Sequence, residues 1–370
     1  MNLGRPWKAL IFGVVIFFSF INVAPSFSTP TSKIYIAKMT KPHLPSAPNG
    51  GSDDYRCFLV DPKIQENSLI TSVEFLPEQR AMMHHAILFQ VKAKDLAQAI
   101  TLDDNGKGWP CFGGTGTGSA FSSFLTTPWL SSWAPGRDKD QMPKGYATPI
   151  ARGDRIVLQI HYNLLAAPHG KIHSDQSKVL ITSVLAKGSH LKILSAELVA
   201  APVELACPKG VTGNLCDRRK SLADLAMRTS AASAFESVGL NLLCGQSVFK
   251  PKSSTTSICD KKITSKELVV KATPHMHMLG SSLKIILNPG TSGAKVILNR
   301  AHYNFDDQSA TILKNPIQLK AGDTVRVICT YNPKLRAQIP ELKKLPPRYV
   351  TWGEGSADEM CLGVMGVARN

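Results

Sequence analysis

Short runs of apolar and β-branched residues, broken repeatedly by Gly, Pro, Asn and Asp, constrain this chain more than any other feature. In the first half they read CFLV, AILFQV, RIVLQIHYNL and KVLITSVLA. In the second half they read ELVVKATPHMHML, LKIILN, AKVILN, DTVRVICTYN and CLGVMGVA. Runs of this kind, closed by turn residues, are the strands of an all-β sandwich. Roughly 340 residues remain once an N-terminal leader is set aside, too many for one sandwich and enough for two. The expected fold is therefore all-β, with two antiparallel, jelly-roll-like sandwiches over residues 51–188 and 189–370. Their boundary is expected near residue 188, in LAKGSHLKIL, and no short-period repeat is visible.

One segment departs from the strand pattern. In residues 216–245, Leu222, Leu225, Ala226 and Met227 stand at helical spacing. A short helical insertion is expected there, within 207–259 and tethered by its flanking cysteines. It reads as a surface excursion without chemistry, with a lid or substrate wall as the other reading. The glycine-rich stretch at 106–121 lacks a following Lys-Ser/Thr and is not a phosphate-binding loop.

The N-terminus reads as an export signal. Arg5 and Lys8 precede ALIFGVVIFFSFINVA, an apolar stretch short for a membrane span. Cleavage is expected after Ser28, because cleavage after Ala24 would leave Pro25 at the new terminus. The alternative is an uncleaved anchor, which would be the one route to a membrane. Residues 29–50, rich in Pro, Ser, Thr and Gly, are expected as a disordered lead-in. An exported chain, periplasmic or secreted, suits eight cysteines, an even set for an oxidising compartment. No CxxC occurs, which argues against a zinc ribbon. The net charge of +16 is spread along the chain without a basic tract, so no nucleic-acid partner is expected.

Chemistry is concentrated in six residues. His84 and His85 are adjacent in RAMMHHAILFQV, and His161 lies in RIVLQIHYNL. His275 and His277 form an HxH pair in KATPHMHMLG, and Met360 stands in EGSADEMCLGVM. Alone, each is ordinary: a polar position for the histidines, core packing for the methionine. In RIVLQIHYNL, alternation puts Ile156, Leu158 and Ile160 on one face and Val157, Gln159 and His161 on the other. His161 is thereby expected to leave the core side and reach a metal. In a straight strand His84 and His85 point to opposite faces, so one shared ion demands a bulge or binding through Nδ1. His275 and His277, two apart, share a strand face. Imidazole suits several metals, whereas a thioether selects copper, above all Cu(I). A three-His set and a His-His-Met set therefore predict two separate copper sites. His43, His169, His173, His190 and His302 are left as surface or structural residues.

The stretches MMHHAILF, VLQIHYNL, HMHMLG and DEMC resemble, in order from residue 82 to 361, the copper type II, ascorbate-dependent monooxygenases. That family includes the peptidylglycine- and dopamine-hydroxylating enzymes. The resemblance implies two copper ions, ascorbate as reductant and dioxygen as co-substrate. It implies that His275, His277 and Met360 hold the catalytic metal, while His84, His85 and His161 hold the one that stores an electron. It also implies a Cys329–Cys361 bridge beside Met360. Cys57 would then pair with Cys111 in the first half, and the four cysteines of 207–259 among themselves. The chain departs from the peptide-amidating pattern at Thr273, Leu362 and Val364, which replace substrate-binding Arg, Asn and Tyr. A small, weakly polar substrate is expected instead of a peptide. Two rivals are a copper-buffering protein and a zinc hydrolase using the three-His set. The first would have no use for unlike ligand sets, and the second leaves His275, His277 and Met360 idle. Oligomeric state is not legible.

Overall fold

The strand Arg155–Asn163 shows how the molecule is layered. In the computed structural model, which describes residue 1 and residues 32–112, 114–117, 127–136 and 139–369, Ile156, Leu158 and Ile160 enter a core with Phe58, Val73 and Leu88. Val157 and His161 turn to the opposite face, as alternation requires. That face does not reach water, however. His161 is 0% exposed, and Val157 joins a second core shared with Val199, Leu283 and Met360 of the other half. His161 leaves the core side of Ile156, Leu158 and Ile160 as expected, and the second half of the chain covers it.

The fold is all-β. Among the described residues, a five-stranded sheet runs in the order Trp109–Pro110, Asp53–Val60, Arg155–Asn163, Met83–Val91, Trp129–Trp133. A four-stranded sheet is ordered Thr256–Lys262, Thr324–Tyr331, Gly280–Leu287, Lys295–Arg300. The third sheet does not respect a division into halves. Its order is Lys33–Lys38, Lys178–Leu185, Ser68–Leu76, Tyr146–Ile150, Lys192–Ala200, Leu362–Ala368, Glu267–His275, Thr311–Leu319. The joint is a short parallel pairing of Lys192 with Tyr146 and Ile193 with Ala147. The chain passes this joint between Leu185 and Lys192, and residues 31–370 form a single unit.

The leader expected over residues 1–28 lies, apart from Met1, outside the described residues. The expected disorder of 29–50 is corrected. KIYIAK is an edge strand, Lys33–Lys38, paired antiparallel with Lys178–Leu185. Its alternation buries Ala37 and turns Ile34 and Ile36 outward, a pattern that the surrounding Pro and Ser obscure. A helix at Leu96–Asp103, capped by left-handed Asp104, is a further element without a clear sequence signal.

The insertion holds two helices, Arg218–Arg228 and Ala231–Leu243. Asp217 and Ser230 cap them by accepting the amides of Lys220 and Ser233. The first buries Ser221, Leu225 and Arg228, whereas Met227 is exposed. Four disulfides staple the chain: Cys57–Cys111, Cys207–Cys216, Cys244–Cys259 and Cys329–Cys361. Residues 106–112 of the glycine-rich stretch run beside the first of them. Gly108 sits there at φ +70°, and a Cβ would collide with the Cys57 carbonyl.

Candidate metal centre

His84 and His85 lie at the start of the strand Met83–Val91, where the ladder slips. Met83 pairs with Tyr162 and His85 with His161, a register shift that leaves His84 as the extra residue. The distortion brings both rings to one side of the sheet. The side-chain nitrogens of His84, His85 and His161 lie within 4.8 Å of one another. His275 ends the strand Glu267–His275, and His277 follows in the turn that leads to Gly280.

The two sets lie against each other. The ring centroids of His84 and His277 are 4.9 Å apart, closer than His84 to His85 at 5.1 Å or His275 to His277 at 5.3 Å. His85 and His275 are 5.5 Å apart. Sequence divides the ligands by chain position, but the structure packs all five imidazoles into one layer between the halves. The buried face of the His161 strand and the end of the His275 strand meet there.

Surrounding hydrogen bonds decide which nitrogen each ring presents. His161 Nε2 donates to Asp53 Oδ1 at 2.8 Å, leaving Nδ1 toward the cluster. The Tyr55 hydroxyl donates to the Glu354 carbonyl at 3.0 Å and so accepts from His85 Nε2 at 3.3 Å. His85 Nδ1 is left buried without a partner. His275 donates Nδ1–H to Gln308 Oε1 at 2.7 Å, and His277 donates its own to the Asp358 carbonyl at 3.1 Å. Both of those rings therefore offer Nε2. The Nδ1 atoms of His84 and His161 stand 2.5 Å apart, hydrogen-bond distance for a proton between them.

Buried imidazole nitrogens without partners are the direct sign of fit to a metal. His84 Nε2, His85 Nδ1 and His277 Nε2 are all in that state, where buried polar atoms are normally satisfied. Burial, reinforced by the neighbouring imidazoles, holds His84, His85 and His277 well below the ordinary value of 6.5. Burial also lowers His161, against the opposing pull of Asp53. His275 falls to about 4, chiefly through burial. Burial raises Asp53, but its bonds to His161 and Ser356 outweigh this and keep it ionised. The cluster is thus five neutral imidazoles with lone pairs to offer.

Met360 is fully buried and tied to the HxH turn by its neighbour. Glu359 accepts the amides of His277 at 2.9 Å, Leu279 at 2.5 Å and Met360 at 3.2 Å. Burial pushes its carboxyl up to about 8, against the pull of these three amides. The insertion holds the same loop from behind. Arg228 pairs with Asp358 at 2.5 Å, and Ser233 donates to Glu354 at 2.7 Å. It is therefore a brace for the loop that carries Met360. Asp53, Tyr55, Gln308 and Glu359 carried no sequence signal of their own, although Glu359 sits inside DEMC.

A pH prediction follows. Folding excludes protons from these imidazoles, so their contribution is full above about 6.5 and is lost as pH falls from there toward 4. The melting temperature of the metal-free protein should drop across that window, and copper, competing with protons, should move the drop to lower pH. A melting temperature unchanged by copper throughout would contradict this.

These features define a β-sandwich protein with a buried cluster of histidines between its halves that could hold metal. Residues 240–365 match the family described as copper type II ascorbate-dependent monooxygenase, C-terminal domain. Over that segment, which holds His275, His277 and Met360 but not the three-His set, the chain is similar to that family. No curated protein matches the sequence. Among solved structures, the major capsid protein P2 of bacteriophage PM2 is 8% identical at TM-score 0.31, covering 91% of this chain and 99% of that one. A fucolectin from striped bass serum is 11% identical at TM-score 0.17, covering 92% and 97%. Likeness at that level carries no argument here.

Proposed function

We propose that the protein is an exported copper- and ascorbate-dependent monooxygenase that hydroxylates a C–H bond of a small, weakly polar substrate. The observation that carries this reading is the layer of five neutral imidazoles, three with orphaned buried nitrogens, beside a loop that supplies a buried methionine. Bound copper, reduced by ascorbate, would put one atom of dioxygen into the substrate and release the other as water. His84, His85 and His161 would hold one ion and His275, His277 and Met360 the other.

The protein's own task is orientation and exclusion of water. Asp53, Tyr55 and Gln308 fix three rings, and Glu359 holds the His277 turn against the Met360 segment. The centre is almost sealed: His84, His85, His161 and His277 are buried, and His275 keeps an edge on a cavity. Four disulfides support an oxidising compartment.

Metal analysis after loading tests the reading. About two coppers per chain are expected, and His161→Ala and His277→Ala should each lose about one. Loss of both ions from either substitution would mean one shared cluster. Uptake of zinc in preference to copper would favour the hydrolase.

A further inference from the structure

A cavity begins at the imidazole layer, and a second adjoins it. The first is lined by His85, His275, Ile87, Trp133 and Pro274. The second is lined by Met142, Leu194 and Ser131 and reaches Lys271 and Asp140. Both are walled by Trp129, Ser132, Thr273 and Val364, so they form one channel with a neck. Lys271, Thr273 and His275, alternating along a single strand, mark its length.

We propose that this channel binds an uncharged amphiphile: an apolar body beside His85 and His275, and one hydroxyl- or carbonyl-type group. The assignment of the reacting end rests on the monooxygenase reading. Charge carries the argument. Among the described lining residues, the charged groups are Lys271 and Asp140, and they pair with each other at 2.9 Å. Both are largely buried, with side chains 12% and 7% exposed. A substrate carboxylate or ammonium would be buried there against an already compensated pair, which is unfavourable. A neutral hydroxyl can join the network that Ser131 already makes with Asp140 at 2.8 Å. The indole N–H of Trp133, buried without an acceptor, supplies a second polar contact in the apolar wall.

The test is isothermal calorimetry on the full chain, copper-loaded but without ascorbate, so that nothing turns over. The probes are octanol, octanoate and octylammonium at neutral pH. Octanol should bind roughly tenfold or more tightly than either ion. Lys271→Met should shift the selectivity toward octylammonium, and the near-isosteric Asp140→Asn toward octanoate. Val364→Trp, which fills the neck, should abolish binding of all three. Equal affinities in the unaltered chain, or selectivity unmoved by Asp140→Asn, would overturn the proposal. Because binding is read without turnover, failed hydroxylation with the octanol preference intact would sink the monooxygenase reading alone. Turnover without that preference would sink the channel alone.

Discussion

Cys361→Ser should destabilise the protein by about 2–5 kcal/mol, the usual cost of losing a native disulfide. The effect should also be local in its chemistry. Cys361 is bonded to Cys329, and both are fully buried. Two residues beyond Cys329, the Tyr331 hydroxyl donates to the Met360 carbonyl at 3.2 Å. The bridge and this hydrogen bond together pin the Met360 segment to the strand Thr324–Tyr331. Without the bridge, copper should be lost from the His275–His277–Met360 set before the three-His set, which is held through Asp53 and Tyr55. Denaturant titration and copper content measured on the same samples check both parts. A variant with unchanged midpoint and full copper would contradict them.

Met360→His should separate metal retention from turnover. A thioether is a poor ligand for Cu(II) and a good one for Cu(I), whereas imidazole serves both. The variant should keep oxidised copper yet lose hydroxylation by roughly a hundredfold or more, beyond what loss of a supporting partner brings. Thr273→Arg provides the contrast, since Thr273 lines the channel without being a proposed ligand and both coppers should stay. Copper stoichiometry beside oxygen consumption reads the outcome. Full turnover in Met360→His would remove the chemical reason for assigning the thioether a role.

Local pattern and long-range pairing differ in how much of this was legible. Alternation in RIVLQIHYNL correctly divided Ile156, Leu158 and Ile160 from Val157 and His161, because a strand's two faces are a local property. The adjacent histidines demanded a distortion, and the ladder slips at His84. What covers the second face is not local, and the packing of the other half of the chain over His161 had no signal in the strand itself. The same limit hid the pairing of Lys192 and Ile193 with Tyr146 and Ala147, which fuses two sheets through two residues. It also hid the meeting of His84 with His277. The role of Glu359 had no local signal, since only the folded turn brings the amides of His277 and Leu279 onto its carboxylate. Arg228 likewise had no local signal, because its partner Asp358 lies far along the chain, and their pairing gives the insertion a structural purpose.

Oxygen consumption by the copper-loaded protein, with ascorbate and a neutral amphiphile present, tests the central claim most directly. The account predicts uptake that requires both copper and ascorbate, yields a hydroxylated product, and disappears in His277→Ala. Firmly bound copper with no ascorbate-dependent uptake across neutral and charged substrates would contradict it and leave a copper-holding protein in its place.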